Sequence, residues 1–381
     1  ASTLFIFLPL FASKKKSMSD YLPKDSLFAW EVDHWNLLHD EFSKSPWGEI
    51  ADFPAWGKIK KWIGENWSDG WNGFSEKERG EVEDFYEQVY LPLLGSLNGG
   101  MAMAIGQIEK GLKNEVLNWK NEDGGDSQWQ AFGLPQISLL AQSKLSEQEF
   151  KEIMNSFKEW IKNKETGKTR IEKSKIEGAE IHWIGHAKSQ ELNTVPAKDT
   201  MLAISFHEGM ILALSGGEEH VEETILRIQG KSRAPSLAES VQYQDAFDEI
   251  QKGQARAFIN FKKFISFLEQ IQTMPNFKFP ENPLGITYDG LINGLGLRGL
   301  DHFAMQIDFE DHEFSFGQGL FMNEREGLLA FLEPVDSNVE LYDFCPANAL
   351  GVSTFRLDFA EMWPKVEKTI ARVSPGLGLL L

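Results

Sequence analysis

The chain has 381 residues, of which 42% are hydrophobic, so it can bury a sizeable core in one large domain or two smaller ones. Its 57 acidic residues outnumber 38 basic ones and give a net charge of −19. A chain this acidic repels a phosphate backbone, so we expect no nucleic acid partner and attribute the charge to solubility.

An apolar run, Thr3 to Ala12, opens the chain. A transmembrane helix needs ~20 apolar residues, so this run is too short to span a bilayer, and no other stretch is apolar enough. Its length suits the core of a secretory signal with small residues at the cleavage point, although the lysines that follow oppose translocation. We predict that residues 1–18 are a signal peptide and that the mature protein begins between Ser13 and Tyr21. An internal strand is the alternative interpretation.

The region after this run opens with a turn signal, then an apolar run, Leu27–Val32, and then a helical pattern. The same order recurs near the C-terminus, where the apolar run is Leu350–Leu357. Asp33 and Asp358 lie between the predicted strand and helix, where a carboxylate can cap the first turn. A shorter version begins at Ala257. This order predicts a strand–helix unit that the chain uses repeatedly.

The segments between these units contain signals for helices and hairpins. Ser146 and Glu149 have the spacing of a capping box and precede an apolar helical stripe. Residues 201–215 and 303–321 each predict two strands joined by a tight turn, and such hairpins imply antiparallel pairing. We therefore predict an α+β fold in which antiparallel sheets built from hairpins are backed by amphipathic helices.

Several sequence segments combine an apolar pattern with turn residues; they are Leu22–Ala29, Ile176–Ile181, Ala203–Ser215, Gly327–Leu332 and Pro346–Leu350. Their order, over most of the chain, resembles a family of exported bacterial proteins known as domain of unknown function family 3352. The resemblance implies a location in the bacterial envelope, in the periplasm, and it carries over no catalytic residue. Members of that family look longer than this chain. We predict that residues 19–345 form one α+β domain and that 346–381 begin a truncated second copy of the strand–helix unit.

The sequence contains little local evidence for a catalytic site or a cofactor site. Gly294, Gly296 and Gly299 have the spacing of a dinucleotide fingerprint, but that site needs a helix after the glycines, and an alternating strand follows here. We interpret the glycines as a loop that enters a sheet. The single cysteine, Cys345, excludes an intramolecular disulfide and a thiolate zinc site, and no Gly-x-Ser-x-Gly motif occurs.

His182 and His186 have the spacing of a metal site on a helix, but the run around them predicts a strand, in which they lie ~13 Å apart. We therefore predict no metal site and no cofactor. In a strand over 176–184, His182 lies on the same face as Glu180 and points toward solvent or a neighbouring polar strand. Trp183 lies on the opposite face and is predicted to be buried.

Tryptophan is concentrated early in the chain, with seven of the 12 between Trp30 and Trp71. Trp67 and Trp71 occupy a turn-rich segment, where aromatic rings can stack on a sugar or grip a lipid or peptide. We name these two as candidate ligand-binding residues, although rings that fold back over a core are the preferred interpretation.

The function that these observations favour is a non-enzymatic envelope protein that binds a ligand or serves as a scaffold. Its expected partner is another envelope protein, an apolar molecule or a sugar. Two alternatives remain open: a periplasmic carrier of apolar ligands, suggested by 28 phenylalanines, and an exported hydrolase whose site residues leave no local motif. A large apolar cavity favours the carrier, whereas a cleft with convergent polar groups and perturbed titratable residues favours the enzyme.

Overall fold

The computed structural model describes residues 16–45, 48, 80, 83, 85–106, 115–120, 126–131, 135–163, 169–186, 198–251, 253–272, 282, 284–310, 313–332 and 359–378. Most of the predicted signal peptide, the candidate residues Trp67 and Trp71, Cys345 and the predicted strand 350–357 lie outside these ranges.

The chain divides into two compact units. Unit 1 consists of Ala1–Ile259 with Ala304–Gly319, and unit 2 consists of Asn260–Phe303 with Leu320–Leu381. The predicted division at residue 346 stays a prediction, because residues 333–358 lie outside the described ranges.

Strands occur throughout the described part of the chain; they are β1 (Phe28–Val32), β2 (Leu97–Ile105), β3 (Glu115–Lys120), β4 (Asp126–Ala131), β5 (Ile137–Ser143), β6 (Thr169–Ile176), β7 (Ala179–His186), β8 (Leu202–His207), β9 (Met210–Ser215), β10 (Ala255–Asn260), β11 (Leu300–Glu310) and β12 (Glu313–Met322). Ten of them form one antiparallel sheet in the order β12-β11-β10-β1-β2-β5-β9-β8-β7-β6, and β3 pairs with β4 separately. The predicted α+β class with antiparallel sheet is confirmed. The two predicted hairpins are β8–β9 and β11–β12.

The α-helices in the described ranges are α1 (Trp35–Lys44), α2 (Leu91–Ser96), α3 (Glu147–Asn163), α4 (Glu218–Ile228), α5 (Val241–Glu249), α6 (Phe261–Gln272), α7 (Tyr288–Leu295), α8 (Phe359–Val373) and α9 (Pro375–Gly378). The predicted capping box of α3 is present, because the backbone N–H and the hydroxyl of Ser146 both donate to Glu149 Oε2 at 2.7 Å. Strand–helix pairs occur at β1–α1 and at β10–α6. The repeat itself stays a prediction, since the strand expected before α8 is not among the described residues.

One face of the sheet in unit 1 is buried along alternate residues of the strands from β10 to β7, and we call it the closed face. From β10 to β7 its members are Phe258, Arg256, Ala29, Glu31, Ala102, Ala104, Leu140, Ser138, Leu212, Leu214, Ser205, Ala203, Ile181 and Trp183. Helices α4 and α5 contact this face through His220 and Tyr243. Trp183 is fully buried there, as the strand pattern predicts.

The opposite face, which we call the open face, is covered only in part. Leu139 on β5 is 43% exposed. Near β7 and β8, however, α3 lies over it, and Phe150 stacks on Phe206 with ring centroids 5.5 Å apart and packs edge-on against His182 at 6.4 Å. His182 is consequently 2% exposed. It shares the face of Glu180 as predicted, but the expectation that it points toward solvent or a polar strand is wrong, because an aromatic helix residue covers it.

A buried ion network joins β1 to β10 and α5. Arg256 Nε donates to Glu31 Oε1 at 3.0 Å, and the Tyr243 hydroxyl donates to the same oxygen. The backbone N–H of Ser19 donates to Glu31 Oε2 at 2.7 Å. Every oxygen of the buried Glu31 carboxylate therefore has a donor, as a charge in a protein interior requires.

Asp33 belongs to the same network and does not cap α1. Its Oδ1 accepts from Arg256 Nη2 at 2.5 Å, and the N-cap residue of α1 is His34, whose side chain makes no capping hydrogen bond. The prediction that Asp33 caps the helix is wrong, because the buried guanidinium offers a stronger, charged donor. Burial raises the pKa of the Asp33 carboxyl, although Arg256 opposes the rise.

In unit 2, the three glycines lie in a helix and in the turn after it. Gly294 is inside α7, where a Cβ atom would approach Cγ2 of Val373 on α8 to 2.1 Å, so the glycine permits close helix packing. Gly296 has a φ of +74° and ends the helix, and Gly299 precedes β11. Only Gly296 and Gly299 match the predicted loop; Gly294 does not. The helix precedes the turn and a strand follows it, the reverse of a dinucleotide site.

Candidate functional site

A cavity of about 160 Å³ with polar and apolar walls lies beside α4 in unit 1, and we call it the Arg227 cavity. Its polar wall is formed by Lys24, Asp25, Gln136, Glu219, His220, Glu223 and Arg227, and its apolar wall by Pro23, Ala234 and Pro235. The volume is smaller than the ~300–1,000 Å³ of pockets for drug-sized molecules, so it suits a small ligand.

Helix α4 supplies most of this wall because it is amphipathic. Val221, Ile225 and Ile228 are buried. Glu219, Glu223 and Arg227 follow at i, i+4 and i+8, which places them in one row along the helix.

The opening segment of the chain closes the other side of the cavity. Lys24 N donates to Pro235 O at 3.3 Å, and Leu237 N donates to Leu22 O at 2.9 Å. Pro23 and Ser236 form an isolated antiparallel bridge between these two segments. This pairing holds Asp25 in the cavity wall, opposite α4.

Arg227 is the most unusual residue of the cavity. It is only 7% exposed, and its Nη2 lies 3.3 Å from Glu223 Oε1 and 3.4 Å from Pro235 O. Within the described part of the chain, its Nε and Nη1 have no hydrogen-bond partner. Burial lowers the pKa of this guanidinium, while Glu223, Glu239 and Asp25 oppose the shift. Each unsatisfied buried donor costs ~1–3 kcal/mol, so a partner for them would stabilise the site.

His220 faces the cavity and is held from behind by the sheet. Its Nε2 lies 2.9 Å from Ser138 Oγ on β5, which is the distance of a serine nucleophile from its base. Ser138, however, is 1% exposed on the closed face and does not line the cavity. A substrate in the cavity cannot reach this hydroxyl, so the pair orients the imidazole.

The site residues that the sequence suggested do not form this cavity. Trp67 and Trp71 are outside the described ranges. His182 and His186 both lie on β7, as the strand prediction requires. In the part of the chain that the structure describes, no group of three or more His, Cys, Asp and Glu side chains could hold a metal ion. Sequence reasoning missed Arg227, although its spacing from Glu219 and Glu223 on a predicted helix was visible.

Comparison of the chain with family models, with curated proteins and with solved structures finds no match. The resemblance to the family of exported bacterial proteins therefore stays a prediction. Among the helices that the structure describes, none has the length and apolar character needed to cross a membrane.

Proposed function

We propose that this protein is an exported binding protein whose Arg227 cavity holds a small, uncharged ligand rich in hydroxyl groups, of monosaccharide size or smaller. The observation that carries the proposal is the buried guanidinium in the cavity wall, two of whose nitrogens have no hydrogen-bond partner among the described residues. Both nitrogens are themselves buried, so Arg227 must turn toward the ligand to donate to it. Side-chain changes of this kind are common on binding, and the new hydrogen bonds favour the turn.

The surrounding charges favour a neutral ligand over an anion. Asp25, Glu223 and Glu239 already act electrostatically on Arg227, and Glu219 also lines the cavity. A carboxylate or phosphate on the ligand would be repelled, because the acidic side chains of the lining outnumber its two cations, Lys24 and Arg227. A hydroxyl group avoids the conflict, because its oxygen accepts from the guanidinium while its hydrogen donates to a carboxylate.

The same geometry favours binding over the two alternative functions. A carrier of apolar molecules needs a cavity that holds its ligand away from charge, whereas this cavity is only about 160 Å³ and has charged side chains in its wall. A hydrolase needs a nucleophile that substrate can reach, and Ser138 is shielded by the sheet. Of the expected partners, a sugar therefore fits best. An envelope protein partner and a contribution from Trp67 and Trp71 stay predictions, as does the periplasmic location.

Isothermal titration calorimetry of the purified chain with myo-inositol, D-glucose and sodium acetate tests this proposal. We expect saturable binding of at least one of the two polyols and none of acetate. Arg227→Met should abolish polyol binding by removing the donors. Because loss of this buried residue can also unfold the protein, Glu219→Gln is the second variant, expected to weaken binding about fivefold through loss of a charged acceptor.

Glu222→Gln is the matched control, since Glu222 lies on the same helix, is exposed and does not line the cavity. It should leave the affinity unchanged. Acetate binding as tight as polyol binding, equal effects of Glu219→Gln and Glu222→Gln, or no saturable heat up to about 10 mM polyol would each refute the proposal.

A further inference from the structure

Residues 17–22 are packed into the core of unit 1, and we call them the anchor. They contain one 3₁₀ turn, Met18–Asp20. Met18 and Ser19 are each 2% exposed and Leu22 is fully buried, whereas the side chain of Lys16, directly before the anchor, is exposed. Burial of the chain therefore sets in between Lys16 and Met18.

Met18 fills a space that β2 leaves open for it at Gly100. A Cβ atom on Gly100 would lie 2.6 Å from Cγ and 2.7 Å from Sδ of Met18, which is closer than packed side chains allow. Residue 100 can thus carry no side chain while Met18 is in place. The glycine and the methionine, 82 positions apart, form one packing contact.

The backbone of the anchor is held by two distant segments. The N–H of Ser19 donates to Glu31 Oε2 at 2.7 Å inside the buried ion network, and Leu22 O accepts from Leu237 N at 2.9 Å. A cut after Met18 would turn the Ser19 amide into an ammonium group, which adds a positive charge and two N–H groups to a buried site. It would also empty the space beside Gly100. Both changes destabilise the fold.

Ser17, in contrast, is suited to be the first residue of the chain. It is half-buried, and its backbone nitrogen lies 2.7 Å from Asp20 Oδ2. Hydrolysis of the Lys16–Ser17 bond adds one water molecule and leaves a carboxylate on Lys16 and an ammonium group on Ser17. That ammonium group keeps the Asp20 carboxylate as its partner, in a hydrogen bond that the charge strengthens. A cut before Lys16 leaves the whole anchor in place as well.

We infer that the peptide bond cut during export lies between Ser13 and Ser17, because the fold needs every residue from Ser17 onward. The mature protein then begins no later than Ser17. This narrows the range of Ser13–Tyr21 that the sequence indicates, and it assigns Ser17 and Met18 to the mature domain. The inference rests on the export that the proposed function includes, and it is independent of ligand binding in the Arg227 cavity.

N-terminal sequencing and intact-mass measurement of the protein isolated from the cells that produce it test the position of the cut. We expect the first residue to lie between Ser13 and Ser17. A chain that starts at Met18 or later, or one that retains Thr3–Ala12, would overturn the inference. Calorimetry with the polyols on the same sample tests the Arg227 cavity separately, so either proposal can fail without the other.

Urea unfolding of full-chain variants tests the anchor itself. Met18→Ala should lower the midpoint of unfolding by about 1 M, because it leaves a cavity. Gly100→Ala should lower it by about 0.5 M or more in the wild type but by less than about a third of that in Met18→Ala, where the added methyl group has room. Lys16→Ala, on the exposed side of the boundary, is the control and should shift the midpoint by about 0.2 M or less.

Two results would show that residues 17–22 are not an anchor. One is a Met18→Ala shift no larger than that of Lys16→Ala. The other is an effect of Gly100→Ala that is the same with and without the Met18 side chain, since the two residues would then not be in contact.

Discussion

Protonation of His182 should destabilise unit 1 as the pH falls below neutrality. The imidazole is 2% exposed and packs against Phe150, and burial lowers its pKa from 6.5 to about 4. Lys158 and Lys173 add repulsion, which the carboxylate of Glu180 only partly offsets. The folded protein thus resists a proton that the unfolded chain accepts readily.

The sign and size of the effect follow from proton linkage. Between about pH 6.5 and pH 4 the unfolded state binds the proton and the folded state does not, so the free energy of unfolding falls as the pH falls. At about 1.4 kcal/mol for each unit of pKa shift, the full loss from this residue is about 3 kcal/mol, and it is complete near pH 4. Above about pH 6.5 the residue makes no pH-dependent contribution.

Urea unfolding of the wild type and of His182→Gln, followed by tryptophan fluorescence between pH 7 and pH 4, isolates this contribution. Glutamine does not titrate, so the stability difference between the two proteins should shift by about 3 kcal/mol against the wild type over this range. His39→Gln is the control, since His39 is exposed on α1 and should show no such shift. A stability difference that is the same at pH 7 and pH 4 would show that the folded state does not disfavour the His182 proton.

Two further predictions concern the closed face and its ion network. Trp183→Ala should lower the free energy of unfolding by ~3–5 kcal/mol, because it leaves a cavity at a fully buried site. Leu202→Ala on the open face should lower it by about 1 kcal/mol or less. Similar losses for the two variants in urea unfolding would contradict the assignment of Trp183 to the buried face. Glu31→Ala should lower the free energy of unfolding by ~3–5 kcal/mol, because Arg256 then stays buried without its main partner. Asp33→Ala should lower it by about 1 kcal/mol or less, because Asp33 lies at the partly exposed end of the network. Equal losses of stability from Glu31→Ala and Asp33→Ala would show that Asp33 stabilises the network as much as Glu31 does.

Much of the secondary structure was predictable because its signals are local. The alternation of apolar residues in 201–215 and the His207-Glu208-Gly209 turn predict the β8–β9 hairpin. The capping box and the apolar stripe that follows it predict α3. Trp183 was assigned to a buried face for the same reason, since a strand sends successive side chains to opposite sides. Asp33 shows the limit of such reasoning. Its position suits a helix cap, but Arg256, far away in the sequence, pairs beside it in the sheet and takes its carboxylate.

Burial and site formation depended on segments that meet only in the folded chain. Strand periodicity places His182 beside Glu180, but the packing of α3 over that face decides that the imidazole is covered and neutral. The row of Glu219, Glu223 and Arg227 follows from helical spacing alone, yet such rows are ordinary on the solvent side of an acidic helix. It becomes a cavity wall because the opening segment of the chain pairs with the residues after α4 and removes Arg227 from water. A pattern in the sequence can state which side of an element a residue occupies, but whether that side meets water, another element or a ligand depends on contacts between distant segments.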